Sequence, residues 1–121
     1  MHEGAAREEI MTGKDLKTRM LETCRLLWPL WERIGRRDRG LAEQGRRAMQ
    51  SMVLQFAEGE HAHRGNRTAK LLGARSEAHE ARMCLELAGA CGLVRDREVA
   101  MGADRLDHHA AALWLKVHRP R

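Results

Sequence analysis

The spacing of apolar residues constrains the fold of this chain more than any other feature. In four separate segments, apolar residues recur at steps of three and four, which places them on one face of an α-helix. The first predicted helix ends at Gly35, and its apolar stripe consists of Leu16, Met20, Cys24, Leu27, Trp31 and Ile34. The second extends from about Leu41 to Glu58 and stops at Gly59, and its stripe consists of Leu41, Gly45, Ala48, Met52 and Phe56.

Two further helices follow from the same spacing. We predict that Asn66 is the N-cap of the third, which ends at Gly92, and that the fourth begins near Arg95 and ends before Pro120. The third stripe consists of Ala69, Leu72, Ser76, Glu80, Met83, Leu87 and Ala90, and the fourth of Val99, Leu106, Leu113 and Val117. Short connections make consecutive helices antiparallel neighbours, so we predict an all-α, up-down-up-down four-helix bundle.

Composition and length agree with a single helical domain. β-Branched residues are few, which gives little support for a sheet, and 121 residues are typical of one domain. We expect residues 1–13 to form a flexible N-terminus, residues 14–118 the bundle and residues 119–121 a basic C-terminal tail. No run of about 18 apolar residues is present, so no membrane span is expected. The first residues include three glutamates, unlike a signal peptide, which predicts a cytoplasmic location.

The positive charge of the chain is concentrated in blocks. The formal net charge is +5, and residues 36–47 carry five arginines against two acidic residues. Residues 64–82 and the C-terminal tail form two further basic blocks. In an antiparallel bundle these blocks lie at both ends, which predicts two basic surfaces that contact RNA or DNA phosphates. The predicted contact residues are Arg36, Arg37, Arg39, Arg46, Arg47, Arg64, Arg67, Lys70, Lys116, Arg119 and Arg121. The alternative is a set of solvated faces with ion pairs such as Glu43 with Arg47.

The sequence predicts no catalytic residue, no metal site and no cofactor. A di-iron bundle needs a Glu-x-x-His spacing on two helices, and this chain has one, from Glu58 to His61, across a predicted helix end. The serines lie inside predicted helices without a glycine-rich elbow. The three cysteines lack metal-ligand spacing and are expected to be small buried hydrophobic residues.

Four residues are predicted to have structural roles. Pro29 lies inside the first helix and is expected to kink it just upstream. Trp28 and Trp31 flank it, and we expect both indoles to cap the core, although a kink could instead turn one outward into a subunit contact. Glu80 falls on the apolar stripe of the third helix, where an isolated carboxylate is costly, so we expect it to pair with a cation or with the N-terminal donors of a neighbouring helix. Arg46 or Arg47, in this chain or in another copy, is the candidate partner.

Several short motifs carry a family resemblance. They are Gln44 with Arg46-Arg47-Ala48, Ala57-Glu58-Gly59, Arg64, Ala74-Arg75-Ser76, Leu85-Glu86-Leu87-Ala88 and Gly92-Leu93. In these motifs the chain resembles the four-helix-bundle proteins encoded in ribosomal-RNA intervening sequences. It departs from their pattern at Gln55-Phe56, where Asn-Ile is usual, and at Arg82, where a second Glu is usual.

A second set of residues is similar to one branch of that family, the accessory variability determinants of diversity-generating retroelements. These residues are Trp28-Pro29-Leu30, Ile34, Arg36-Arg37-Asp38-Arg39, Trp114-Leu115 and the basic tail. The resemblance implies a non-catalytic homopentameric barrel that binds nucleic acid and a reverse transcriptase and supports mutagenic cDNA synthesis. The alternative is a self-assembling structural protein of the intervening-sequence type that has no polymerase partner.

Overall fold

The computed structural model of the protein describes residues 13–119, and all the regular structure in that range is helical. The four helices are α1 (Gly13–Gly35), α2 (Arg39–Glu60), α3 (Arg64–Ala90) and α4 (Asp96–His118). Short turns join them, and each helix runs antiparallel to the next. The predicted all-α four-helix architecture is confirmed. The expected flexible segment 1–13 lies almost wholly outside the described residues, as do the last two residues of the tail.

The helix ends follow from local hydrogen bonding. Asp38 caps α2, because its carboxylate accepts a hydrogen bond from the backbone N–H of Leu41 at 3.0 Å. Gly92 ends α3 in the left-handed conformation, with φ of 73°, and the next N–H, of Leu93, bonds back to the carbonyl of Ala88. In the first turn of α4, Glu98 accepts from the N–H of Arg95 at 3.0 Å.

Two predicted helix boundaries are wrong. The N-cap of α3 is His63, not Asn66, which lies exposed within the first turn. Helix α2 does not stop at Gly59 but continues to Glu60. Gly59 is buried against α3, and a Cβ atom there would lie 2.9 Å from Leu71, so the glycine permits close helix packing rather than ending the helix.

Three of the four predicted apolar stripes face the core. Large side chains from α1, α2 and α4, including Leu27, Trp31, Met52 and Leu106, are almost fully buried in one cluster. Helix α1 runs without interruption through Pro29. Of the cysteines, Cys84 is buried and Cys24 partly buried, as expected, but Cys91 is exposed at the end of α3.

The predicted stripe of α3 faces solvent. Every residue of that stripe, from Ala69 to Ala90, is exposed. The buried face instead consists of Leu71, Ala74, Ala78, Ala81, Cys84, Leu85 and Ala88. Glu80 is therefore exposed and needs no buried partner, so the expected burial of its carboxylate, and its pairing with Arg46 or Arg47 within one chain, are wrong. The small alanines allow α3 to approach its neighbours closely, while Leu72, Met83 and Leu87 lie on the outside.

The packing is uneven around the bundle. Helices α2 and α3, and then α3 and α4, share the most extensive contacts, and among the four adjacent pairs the contact between α1 and α4 is the smallest. Arg33 on α1 and Glu98 on α4 form a bidentate ion pair across this seam, with N···O distances of 2.6 and 3.0 Å. Deeper in the seam, Thr23 and His109 are both buried and lie 2.7 Å apart.

Candidate nucleic-acid interface

One end of the bundle gathers arginines from the α1–α2 turn and from the first half of α2. Arg36 and Arg37 lie in the turn, Arg39 begins α2, and Arg46 and Arg47 follow two turns later. All five side chains are exposed. We call these five residues the turn cluster. A helix rises 1.5 Å per residue, so the cluster extends over roughly 12 Å of α2.

Most of the turn cluster has no acidic partner. Within residues 13–119, Arg39 is the only member of the turn cluster that forms an ion pair, with Glu43 at 3.3 Å, and its side chain remains 88% exposed. Glu43 thus pairs with Arg39, one helical turn earlier in α2, and the alternative pairing with Arg47 is wrong. Arg46 instead lies over the ring of Trp28, 5.5 Å from its centroid. The charges of this cluster are therefore available to an anionic ligand.

The basic residues at the opposite end are largely neutralised. Glu60 lies 3.5 Å from the ammonium of Lys116 and 3.9 Å from the guanidinium of Arg67, and Glu58 lies 3.5 Å from Lys70. The Lys116 side chain is only 9% exposed and lies over the ring of Phe56. We call Glu58, Glu60, Arg67, Lys70 and Lys116 the Glu60 cluster. Its ion pairs link the C-terminal end of α2 to the first turns of α3 and to the last turns of α4.

The other predicted contact residues of this end lie at its margin. Arg64 is exposed and forms no ion pair within the described range. Arg119 is exposed just after α4. Arg121 lies outside the described residues. Among the described residues, the predicted second basic surface consists of the Glu60 cluster, Arg64 and Arg119.

The two tryptophans of α1 have different environments. Trp31 is 2% exposed, and its Nε1–H donates to the sulfur of Met49 at 3.4 Å. It fits only because residue 45 is glycine, since a Cβ atom there would overlap the indole. Trp28 is 40% exposed. The expectation that both indoles cap the core is wrong for Trp28, which lies on the α2 side of α1, off the buried stripe.

A hollow lies between Trp28 and the turn cluster. Its volume is about 250 Å³, with Trp31, Gly35 and Ala42 among the lining residues. Four charged residues complete the lining, namely Glu32, Arg39, Glu43 and Arg46. Sequence reasoning missed this hollow, because its walls come from α1 and α2 together, and no local pattern shows how two helices pack.

A second surface feature is the outer face of α3. Met83 is 62% exposed and Leu87 50% exposed, and Leu72 lies on the same face. We call Leu72, Met83 and Leu87 the outer stripe. Rows of exposed apolar side chains are typical of protein contact surfaces rather than of isolated monomers.

The described residues contain no group of three or more histidine, cysteine or acidic side chains placed to hold a metal ion. None of the four helices is both long enough and apolar enough to cross a lipid bilayer.

Comparison with known proteins supports the fold. No family model and no curated protein matches the sequence. The structure is similar to that of a protein of unknown function from Bacteroides thetaiotaomicron, described as a member of the S23 ribosomal protein family. The TM-score is 0.78 at 20% sequence identity, and the match covers 84% of this chain and 96% of that chain. The likeness establishes a shared four-helix fold.

Proposed function

We propose that this chain is a non-catalytic accessory protein of a diversity-generating retroelement, which binds template RNA or cDNA and the reverse transcriptase in the cytoplasm. The observation that best supports nucleic-acid binding is the turn cluster, where four exposed arginines have no acidic partner within the described residues. Clustered, unpaired arginines bind a polyanion by releasing its condensed counterions. The resemblance of the α1 and turn motifs to accessory variability determinants supports the retroelement assignment.

We also propose that the protein assembles as a homopentamer, as that resemblance implies. The outer stripe supports self-assembly, because it leaves large apolar side chains uncovered on α3. Exposed apolar residues also lie on α1, at Leu21 and Leu26. Helices α1 and α3 are not neighbours around the bundle, and two different contact faces on one subunit are what a closed ring requires.

Titration of labelled template RNA at several salt concentrations tests nucleic-acid binding. If the protein contacts phosphates through the turn cluster, the logarithm of the association constant falls linearly with the logarithm of salt concentration, with a slope of about −0.7 per contact on a single strand. A flat salt dependence would contradict the proposal. Co-purification with the reverse transcriptase tests the accessory role, and the Arg46→Ala, Arg47→Ala double variant shows whether the same cluster contacts the polymerase.

The second candidate is a self-assembling interaction protein with no polymerase partner. The outer stripe supports this candidate equally, since another copy of the chain is enough to cover its apolar side chains. The two candidates differ in genomic context, because an accessory determinant lies beside genes for a reverse transcriptase and a repeated template region. A locus without those genes would favour the second candidate.

A further inference from the structure

The hollow beside Trp28 combines an aromatic surface with groups of both charges. The indole of Trp28 forms one wall, and Arg46 lies 5.5 Å from the ring centroid. That distance lies within the roughly 6 Å range of a cation–π contact, so a base that stacks on this face would displace the exposed Arg46 side chain. The ring is 40% exposed at the edge of the turn cluster.

The size of the hollow limits what it can hold. Sites for drug-sized ligands occupy about 300–1,000 Å³, whereas this hollow has about 250 Å³. It therefore suits one planar ring system better than a whole nucleotide. A flat aromatic wall favours a flat aromatic ligand, because every nucleobase has a π-face that stacks on an indole.

The charged lining suits a nucleobase attached to a phosphate chain. Arg39 and Arg46 lie at the rim, and Arg36 and Arg37 lie in the adjoining turn, so phosphates on either side of a bound base would meet arginines. Glu32 and Glu43 also line the hollow, and their carboxylates can accept hydrogen bonds only from donors such as the amino groups of bases. A phosphate inside the hollow would meet these two carboxylates as well as the two arginines, whereas a base can use the carboxylates as hydrogen-bond acceptors.

We propose that the hollow binds one unpaired nucleobase, stacked on Trp28, while the turn cluster holds the flanking phosphates. The inference rests on the proposed nucleic-acid function and specifies its ligand as a single strand. In a duplex the bases are stacked and paired, so none is available to enter the hollow. The protein should therefore prefer single-stranded RNA or DNA to a duplex of the same sequence.

The test compares two ligands and three proteins by fluorescence anisotropy. The ligands are a labelled single-stranded RNA of about 15 nucleotides and the duplex formed with its complement. The proteins are the wild type, Trp28→Ala and Trp28→Phe. The binding free energy that one stacked base contributes is large enough that loss of the indole ring weakens single-strand binding by about tenfold. We expect Trp28→Ala to show this loss for the single strand only, and Trp28→Phe to retain most of the affinity.

The outcomes separate this inference from the proposed function. Unchanged duplex binding by Trp28→Ala would show that the variant is folded and that the arginines still act. Equal affinity of wild type and Trp28→Ala for the single strand, with salt-dependent binding preserved, would overturn the base site and leave the proposed function standing. A wild type that binds neither ligand overturns both. A loss of oligomer mass in Trp28→Ala would assign Trp28 to a subunit contact and overturn the base site.

Discussion

The hydroxyl of Thr23 lies 3.0 Å from the carbonyl of Arg19 and 2.7 Å from Nε2 of His109. A hydroxyl has one proton, and donating it to the carbonyl leaves only its lone pairs for the histidine. Nε2 of His109 must then carry the ring proton and donate to Thr23, which fixes the neutral tautomer. Nδ1 of the same ring is buried with no partner in the described structure. A second proton would therefore enter a buried position without an acceptor.

The first prediction concerns stability in mild acid. Burial lowers the pKa of His109 from 6.5 to about 4, with further electrostatic contributions from the neighbouring side chains of His108, Arg105 and Arg19. Because the folded state resists protonation, stability is full above pH 6.5 and falls as the pH decreases towards 4. Linkage gives a loss of about 2 kcal/mol between pH 7 and pH 5, measurable by urea unfolding.

The control for this prediction is His109→Leu. Leucine cannot be protonated, and Thr23 keeps its hydrogen bond to the carbonyl of Arg19. This variant should lose the decline between pH 7 and pH 5. A decline of the same size in both proteins would show that another group causes it.

The second prediction concerns stronger acid and the Arg33–Glu98 ion pair. The hydrogen bonds from Arg33 and from the backbone of Arg95 lower the pKa of Glu98 from 4.5 to about 2. The stabilisation is present above pH 4.5 and is lost as the pH falls towards 2. Glu98→Gln should be less stable than wild type at pH 6, and the difference should shrink steadily below pH 4.5. Thermal unfolding by circular dichroism measures it, and a pH-independent difference would contradict the assignment.

The third prediction concerns the glycine under Trp31. Gly45→Ala places a methyl group where the indole lies, so the variant should lose about 1–3 kcal/mol of stability. Gly65→Ala is the matched control, because a Cβ atom at that position in the first turn of α3 meets nothing within 4 Å. The control should be neutral or slightly more stable, since alanine favours a helix over glycine. Chemical denaturation of both variants measures the two changes in the free energy of unfolding and shows whether they differ in sign.

The fourth prediction concerns self-assembly through the outer stripe. Met83→Glu places a charge on an apolar contact face, and it should reduce the mass measured by light scattering to that of a single chain. Leu54→Glu is the matched control, since Leu54 on α2 is 63% exposed and Met83 62%. The control should retain the wild-type mass. If both substitutions dissociate the oligomer, or if neither does, the outer stripe is not the interface between subunits.

The helices were predictable where large apolar residues mark the buried face. On α1 and α2, most large apolar side chains, such as Leu27 and Met52, lie on that face, so spacing alone gave the correct orientation. Helix α3 buries mainly alanines and carries Met83 and Leu87 outside, so hydrophobicity pointed to the wrong face. Spacing cannot distinguish a core face from an unpartnered outer face.

The candidate site was predictable in its location but not in its detail. Chain topology was sufficient to bring the arginines of the turn cluster to one end. The burial of Lys116 against Glu60 depends on how α2 and α4 pack, which no local pattern encodes. The hollow depends on the packing of α1 against α2, because residues of both helices line it.

Two charge-matched variants test the central claim that the turn cluster binds nucleic acid. Arg46→Ala with Arg47→Ala removes two unpaired charges, and Arg67→Ala with Lys70→Ala removes two that already have acidic partners. The measurement is the salt dependence of binding to single-stranded template RNA. The first variant should bind more weakly, with a slope shallower by about 1.4, because two phosphate contacts are lost. The second should stay close to wild type, and equal effects of the two variants, or no effect of the first, would contradict the account.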